Sequence, residues 1–366
     1  MDYCLIYNYA QHYRTNIFLL MDHLLDIEFY FGDKMDDVKK MDYTLLRHNV
    51  TEVKNRQFKR IEWQSGVVGL AFRNYRNYIV LGSPTCLSTW LLLILARLVG
   101  KKTFLWSHGL YGREQKWKLI IEKAFFGLAS GTFLYGNYAK EIMVKHGFSS
   151  RKLFVIHNSL YYDKQVQVRN KLSKSPIFED HFNNRNPNLF FVGRLTSVKK
   201  LDQVIKAISI CREMGHFYNL TFIGDGEKAE DLKKLTRELG LEKNTWFYGA
   251  CYDETEIGQL IYNADLCVAP GNIGLTAMHT LVFGTPAITH NDFKWQMPEF
   301  EAIKDGLTGS FFVKDDILSL ANTINRWFNK LGDKREFVRK ECMKEIDESW
   351  NPYFQIEVMK SAFNSL

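Results

Sequence analysis

Four stretches of this 366-residue chain carry side chains able to do chemistry. In residues 190–200 (FFVGRLTSVKK) an apolar run ends at Val192, Gly193 permits a tight turn, Arg194 follows at once, and Lys199 and Lys200 open a helical stretch. A guanidinium and an ammonium at a strand's carboxyl end suit a pyrophosphate, one offering a planar fork and the other a mobile point charge. A solvated basic turn is the plainer alternative. In residues 266–289 (LCVAPGNIGLTAMHTLVFGTPAIT) a strand runs into Pro270, Gly271, Asn272, Ile273 and Gly274, with a helix expected from Leu275. Two glycines before a helix start let backbone N–H groups approach an anion, although many such turns carry glycine for geometry alone. Residues 220–229 (LTFIGDGEKA) read as strand, Gly-x-Gly and helix, a partial dinucleotide fingerprint. It supports a rival reading as a nicotinamide- or flavin-dependent oxidoreductase. The next strand, however, ends in Gly249 and Ala250 and not in the acid that would hold a ribose. In residues 105–114 (LWSHGLYGRE) His108 follows a strand beside two glycines, which makes it a catalytic candidate as well as a structural one.

These residues need strands and helices that bring strand ends together. In the first half, apolar runs predict strands at 3–7, 27–31, 78–81, 103–107, 131–135 and 153–156, with helices at 87–98, 116–129 and 137–146. Residues 162–188, polar and rich in Asn, read as a linker. Strands are then expected at 189–192, 218–223, 245–248, 266–269, 287–289 and 309–312. Helices are expected at 200–214, 228–239, 253–263, 276–283 and 317–331, with a helical tail from 334 broken near Asn351 and Pro352. Short strands alternating with helices indicate parallel βαβ units. Two such series imply two Rossmann-like, doubly wound α/β domains facing a central cleft, and such sheets bind ligands at strand carboxyl ends. The domains are expected at 1–170 and 171–345, with 346–366 a last helix.

The six cysteines are scattered, with no CxxC pair and no metal-ligand spacing, which fits a reducing cytosol and not structural zinc. The start lacks a signal-peptide pattern. The most apolar stretch, 87–96, is too short for a membrane span of roughly 20 residues and reads as a buried helix. The net charge of +7 divides as +10 in residues 1–170 and −3 in the rest. A basic half suggests an anionic partner such as a phospholipid surface, a lipid pyrophosphate or nucleic acid; a solvated basic face is the alternative. Arg113, Lys116, Trp117, Lys118 and Lys123, with Phe125 and Phe126, read either as a membrane-facing helix or as an ordinary amphipathic one with its aromatics inward.

Taken in order, FFVGRLTSVKKLDQVIKAI, LTFIGDGEKAEDLKKLTRELGL, WFYGACYDETEIGQLIYNADLCVAPG, GLTAMHTLVFGTPAIT and EAIKDGLTGSFF resemble the retaining GT-B glycosyltransferases of the glycogen-synthase-like family, glycosyltransferase family 4. They span nearly all of residues 189–313. The first half, through QHYRTNIF, the His108 stretch and LYGNYAKEIMVKHGFSSRKLFVIHNSL, resembles the acceptor half of enzymes that build bacterial surface polysaccharides. The resemblance implies transfer of a sugar, with retention, from a nucleoside diphosphate sugar to a hydroxyl of a saccharide or lipid-linked saccharide. The product would be a capsule, O-antigen or exopolysaccharide. It implies a cytoplasmic enzyme, peripheral on the inner face of the membrane, with no metal, no cofactor and no nucleic-acid partner. The rivals are a nucleotide-sugar epimerase of the same fold, the oxidoreductase and a catalytically dead carbohydrate-binding relative.

The resemblance also distributes roles. Gly193, Arg194 and Lys199 match the diphosphate site, with Arg194, Lys199 and His108 taken as catalytic. Gly224, the turn Asn272, Ile273 and Gly274, and the following Leu275 and Thr276 match the donor cradle. Ala250 and Tyr252 match the nucleobase contact, Glu301 the glutamate before the DG turn, and His12, Tyr13 and Arg14 the acceptor loop. The last helix is expected to pack on the first domain. One departure stands out. The family carries two glutamates eight positions apart around the glycine-rich loop; here the first has no counterpart and the ribose-binding second aligns with His279. Glu299 is an additional carboxylate nearby.

Overall fold

The apolar runs of the first half form parallel strands, because residues buried on both faces of a sheet must be continuously apolar. The computed structural model describes residues 1–35 and 38–366. It divides into two units, residues 1–161 with 351–366, and residues 162–350.

The first unit runs β1 (Tyr3–Tyr7), α1 (Thr15–Leu24), β2 (Ile27–Gly32), β3 (Val50–Val53), β4 (Asn55–Phe58), β5 (Ile61–Gln64), β6 (Asn77–Leu81), α2 (Leu87–Leu98), β7 (Lys102–Ser107), α3 (Lys116–Leu128), β8 (Gly131–Leu134), α4 (Asn137–Lys145) and β9 (Leu153–Val155). Seven strands form a parallel sheet in the order β3-β2-β1-β6-β7-β8-β9, and β4 and β5 form a separate antiparallel hairpin. Helix α1, β3 and the hairpin are additional to the elements expected from the sequence. β3 and the hairpin are short and mostly exposed or half-buried, so they carry no apolar run to detect. Helix α2 corrects an expectation. Ser88, Thr89, Leu92, Leu93 and Ala96 are buried, but Leu87, Leu91, Ile94 and Leu98 are exposed, so the helix is buried on one face only. Helix α3 divides the same way, with Phe125 and Phe126 inward and Trp117, Ile120 and Ile121 outward.

The second unit runs α5 (Tyr162–Arg169), α6 (Ile177–Phe182), β10 (Asn188–Val192), α7 (Asp202–Glu213), β11 (Asn219–Ile223), α8 (Ala229–Glu238), β12 (Thr245–Gly249), α9 (Glu254–Asn263), β13 (Leu266–Ala269), α10 (Thr276–Val282), β14 (Ala287–His290), β15 (Gly309–Phe312), α11 (Ile317–Leu331) and α12 (Arg335–Ser349). Its six strands are parallel, in the order β12-β11-β10-β13-β14-β15. The expected linker at 162–188 forms α5 and α6 instead. Arg169 makes a two-pronged pair with Asp347 of α12 at 3.1 and 3.0 Å, and Tyr162 donates to the same carboxylate at 2.9 Å. These bonds give residues 162–170 to the second unit, so the division falls at 161/162 and 350/351 and not at 170/171 and 345/346.

Asn351 caps α13 (Pro352–Ser365) by accepting from the Phe354 amide at 2.9 Å, and Pro352 sits where a missing N–H costs nothing. Helix α13 belongs to the first unit. Ile356, Met359, Ala362 and Phe363 join its core, Phe363 lying edge-on to Phe104 and Phe133. Gln355 accepts from Ser159 at 2.6 Å and donates to the His157 carbonyl at 2.9 Å.

Each sheet reverses its winding once, between β1 and β6 in the first unit and between β10 and β13 in the second. At such points adjacent turns diverge to opposite faces and leave a crevice at the carboxyl ends of the strands.

Candidate active site

In the second unit the turns after β10, β11 and β13 interlock around glycines. A side chain at Gly224 would meet the Gly193 carbonyl, one at Gly226 the Leu195 carbonyl, and one at Gly271 the Val198 carbonyl at 2.1 Å. Backbone bonds hold the same turns together. The Gly193 amide donates to Ile223, Leu195 to Asp225, Gly224 to Gly249 and Gly271 to Lys199, at 2.8–3.0 Å. Gly224 is therefore occupied on both sides by neighbouring backbone. It positions the turn, and the Gly-x-Gly of the dinucleotide-like stretch serves close packing and not approach to a ligand.

This packing carries Lys199 onto the β13 loop. Its ammonium donates to the Asn272 carbonyl at 2.7 Å and to the Asn272 side-chain oxygen at 2.9 Å. Burial pushes the Lys199 pKa down to about 8; Glu299 and Cys267 pull it up, and Arg194 pushes it further down. The adjacent lysine differs: Lys200 pairs with Asp315, which also accepts from Gln203 at 3.0 Å. Arg194 is exposed, and no carboxylate of the described residues forms an ion pair with it.

The loop at Asn272–Gly274 is braced from below. The Ile273 amide donates to buried Gln296 at 2.9 Å, and Gln296 donates to Thr289 at 2.8 Å and to the His290 carbonyl at 3.1 Å. The Thr276 hydroxyl returns to the Val192 carbonyl at 3.0 Å, so its side chain ties helix α10 to strand β10. Leu275 precedes the first helical residue, where amides have no partner within the helix. Of the two nearby glutamates, Glu299 is the buried one, at 2% exposure, and its charge acts on Lys199; Glu301 is half-buried.

His279 bonds through Nε2 to Glu254 of α9 at 3.1 Å, and Glu254 also accepts from Gln165 of α5 at 2.8 Å. Burial alone would raise the Glu254 carboxyl, but the bonds and charge from His279 and the Gln165 amide hold it below its ordinary value. A carboxylate from α9 thus lies within hydrogen-bond distance of His279 on α10. Ala250 and Tyr252 lie on the exposed turn before α9, Tyr252 with 93% of its surface free. Glu254 and Gln296 escape the sequence reading because each acts through a partner more than twenty residues away. The QMPEFE run at 296–301 is flagged there only for its acids.

In the first unit, His108 follows β7 on a turn whose Tyr111 and Gly112 amides donate to Glu114 at 2.6 and 2.9 Å. Burial, with a smaller push from Arg14, lowers the His108 pKa to about 4, so its ring is neutral at pH 7. His108, Tyr13 and Arg14 line one pocket, at the carboxyl ends of β1, β6 and β7. His12 does not line it: it is exposed and bonded to the Lys39 carbonyl.

Two Rossmann-like units, with an anion-suited crevice in the second, define the GT-B class of fold. Residues 174–341 match the family model of the glycosyl transferases group 1. EpsD of Bacillus subtilis (strain 168), whose name carries a provisional glycosyltransferase assignment, is 27% identical over 145 residues, 39% of this chain and 36% of EpsD. The match thus spans about a third of that relative. Two solved structures share the fold along the whole chain. Anabaena Alr3699/HepE in complex with UDP has a TM-score of 0.74 at 14% identity, covering 100% of both chains. The lipopolysaccharide outer core galactosyltransferase WaaB, in apo form, has a TM-score of 0.74 at 16% identity, covering 100% of this chain and 99% of WaaB.

Proposed function

We propose that the chain is a retaining, metal-independent glycosyltransferase of surface-polysaccharide synthesis, taking its sugar from a nucleoside diphosphate donor. The observation that carries this reading is Lys199 held over Asn272 at the β10/β13 crevice, with Arg194 exposed on the same turn. HepE was solved with UDP, which makes UDP the first probe, and WaaB acts in lipopolysaccharide synthesis by its name. In the reaction the bond from the anomeric carbon to the diphosphate oxygen breaks and its electron pair stays on the diphosphate. The acceptor hydroxyl oxygen bonds to that carbon on the vacated face, and its proton passes to the leaving phosphate. Arg194, Lys199 and the amides from Gly274 to Thr276 stabilise the growing negative charge before it forms, which is where such groups accelerate a reaction most. Gly193 keeps the turn tight. The Glu254–His279 pair is suited to the ribose hydroxyls, Ala250 and Tyr252 to the base, and Glu301 to the donor sugar.

The acceptor, a saccharide or lipid-linked saccharide, belongs to the pocket of Tyr13, Arg14 and His108. The exposed apolar faces of α2 and α3 support peripheral docking on an anionic membrane; among the described residues no helix is long and apolar enough to cross one.

Thermal-shift titration with UDP, GDP, dTDP and ADP identifies the base, since a bound ligand raises the melting temperature by mass action. Replacing Arg194 with Ala is expected to cut turnover about 10²–10³-fold, the usual loss of one preorganised charge-stabilising group, with little change in melting temperature. Chelation by EDTA is expected to leave transfer intact. Near-normal transfer by a well-folded Arg194→Ala protein would overturn the diphosphate assignment.

A further inference from the structure

The pocket in the first unit, about 400 Å³ in volume, lies at the β1/β6 reversal and is built for a ligand of particular charge. Six of its lining residues carry a buried polar atom with no hydrogen-bond partner among the described residues: Asn8 Oδ1, Gln11 Oε1, Arg14 Nε, Trp106 Nε1, His108 Nδ1 and Glu122 Oε2. Buried polar groups are almost always satisfied, so six on residues lining one cavity mark a place where something polar binds. Arg14 gives that ligand its sign. It is 7% exposed, and its guanidinium donates from Nη2 to the Tyr135 hydroxyl at 2.8 Å. Its guanidinium lies 5.4–5.7 Å from the ring centres of Tyr7, Trp106 and Tyr135, which ease its burial without neutralising it. Among the described residues no carboxylate is within ion-pair distance of it. A buried guanidinium without an acid is strongly unfavourable unless an anion completes it. Among the described residues the one acid lining the pocket is Glu122, whose carboxyl is raised to about 7 by burial and by Glu114, so at neutral pH it is partly uncharged and repels an anion less.

We infer that Arg14 binds an anionic group on the acceptor, a sugar carboxylate or phosphate, while Asn8, Gln11 and His108 take its hydroxyls. This rests on the reading of the chain as a glycosyltransferase and adds that its acceptor is an acidic saccharide.

Calorimetric titration of the full chain with D-glucuronate, D-glucose 1-phosphate, D-glucose and UDP tests it. One or both acidic sugars are expected to bind at least about tenfold more tightly than glucose, the worth of one charge-assisted bond, and to lose about that factor in Arg14→Met. Whichever acid binds names the group. UDP affinity is expected to be unchanged by Arg14→Met. Glucose binding as well as the acids, acids insensitive to Arg14→Met, or a UDP affinity that falls alongside theirs would each overturn the inference. If Arg14→Met does not fold, Glu122→Gln decides: the bound acid is expected to tighten at pH 7, and an unchanged affinity refutes the proposal. Failure of UDP to bind the unaltered chain counts against the donor reading alone, and failure of both acids against the acidic acceptor alone.

Discussion

Lys199 and Lys200 are neighbours of the same chemical type with different surroundings. Lys200 is neutralised by Asp315, whereas Lys199 is half-buried against a carbonyl and an amide oxygen, and desolvation pushes its pKa down to about 8. Its ammonium is present below about pH 8 and lost as the pH rises through it. A diphosphate beside Lys199 stabilises the charged form, so binding takes up a proton above that point. UDP affinity, measured calorimetrically, is therefore expected to hold steady from about pH 6 to 7.5 and to fall by up to about tenfold per unit above 8. In Lys199→Met the affinity is expected to be lower throughout and flat over the alkaline range. A flat profile in the unaltered protein would remove Lys199 from the site. At this scale the sequence exposes the charges but not their partners. Arg194 and Lys199 announce themselves by type and spacing, while the Glu254–His279 pair depends on two helices meeting, which no local pattern encodes.

At the scale of elements, the alternation of apolar runs and helices carried most of the architecture. Leu266–Ala269, Gly309–Phe312, Leu87–Leu98 and Ile317–Leu331 form with the expected ends, because their apolar spacing and flanking glycines or caps agree. Legibility ended where stability comes from tertiary partners. Helix α5 is polar and looks like linker, yet Asp347 holds it through Arg169 and Tyr162. The glycine turns show the converse, residues whose purpose is visible only in three dimensions. Gly271→Ala would drive a methyl into the Val198 carbonyl and the backbone of Lys199. It is expected to destabilise the protein by about 1–3 kcal/mol, the range for overpacking a tight site, and to weaken UDP binding by displacing Lys199. Gly127→Ala is the counter-case, on the exposed side of α3 with no atom near its added methyl. It is expected to stabilise by roughly 0.5–1 kcal/mol. Denaturant melts of both variants check the pair. Equal effects would show that the turns do not interlock as described.

Across the molecule, a fold shared with HepE and WaaB at 14% and 16% identity leaves the surface free to differ, and here the surface is uneven. Residues 1–170 carry a balance of +10. Within them Leu87, Leu91, Ile94 and Leu98 follow the i, i+4, i+7, i+11 spacing of one helical face, and all are exposed, Leu98 at 77%. Helix α3 lies alongside, Trp90 packing tilted against Phe125 with ring centres 5.0 Å apart, and adds Trp117, Ile120 and Ile121. Exposed Arg97, Lys116, Lys118 and Lys123 accompany this face. Large exposed apolar side chains beside cations are the composition of an interfacial membrane contact. The chain is expected to co-sediment with phosphatidylcholine vesicles containing phosphatidylglycerol, less with phosphatidylcholine alone, and less in high salt as surface attraction is screened. Leu91→Ser and Ile120→Ser are each expected to weaken binding by about tenfold, from the roughly 1.5–3 kcal/mol gained when such a side chain leaves water. Because both positions are already exposed, their melting temperatures are expected to stay close to that of the unaltered protein. Sedimentation that ignores both the anionic lipid and the two serines would mean that this face does not meet a membrane.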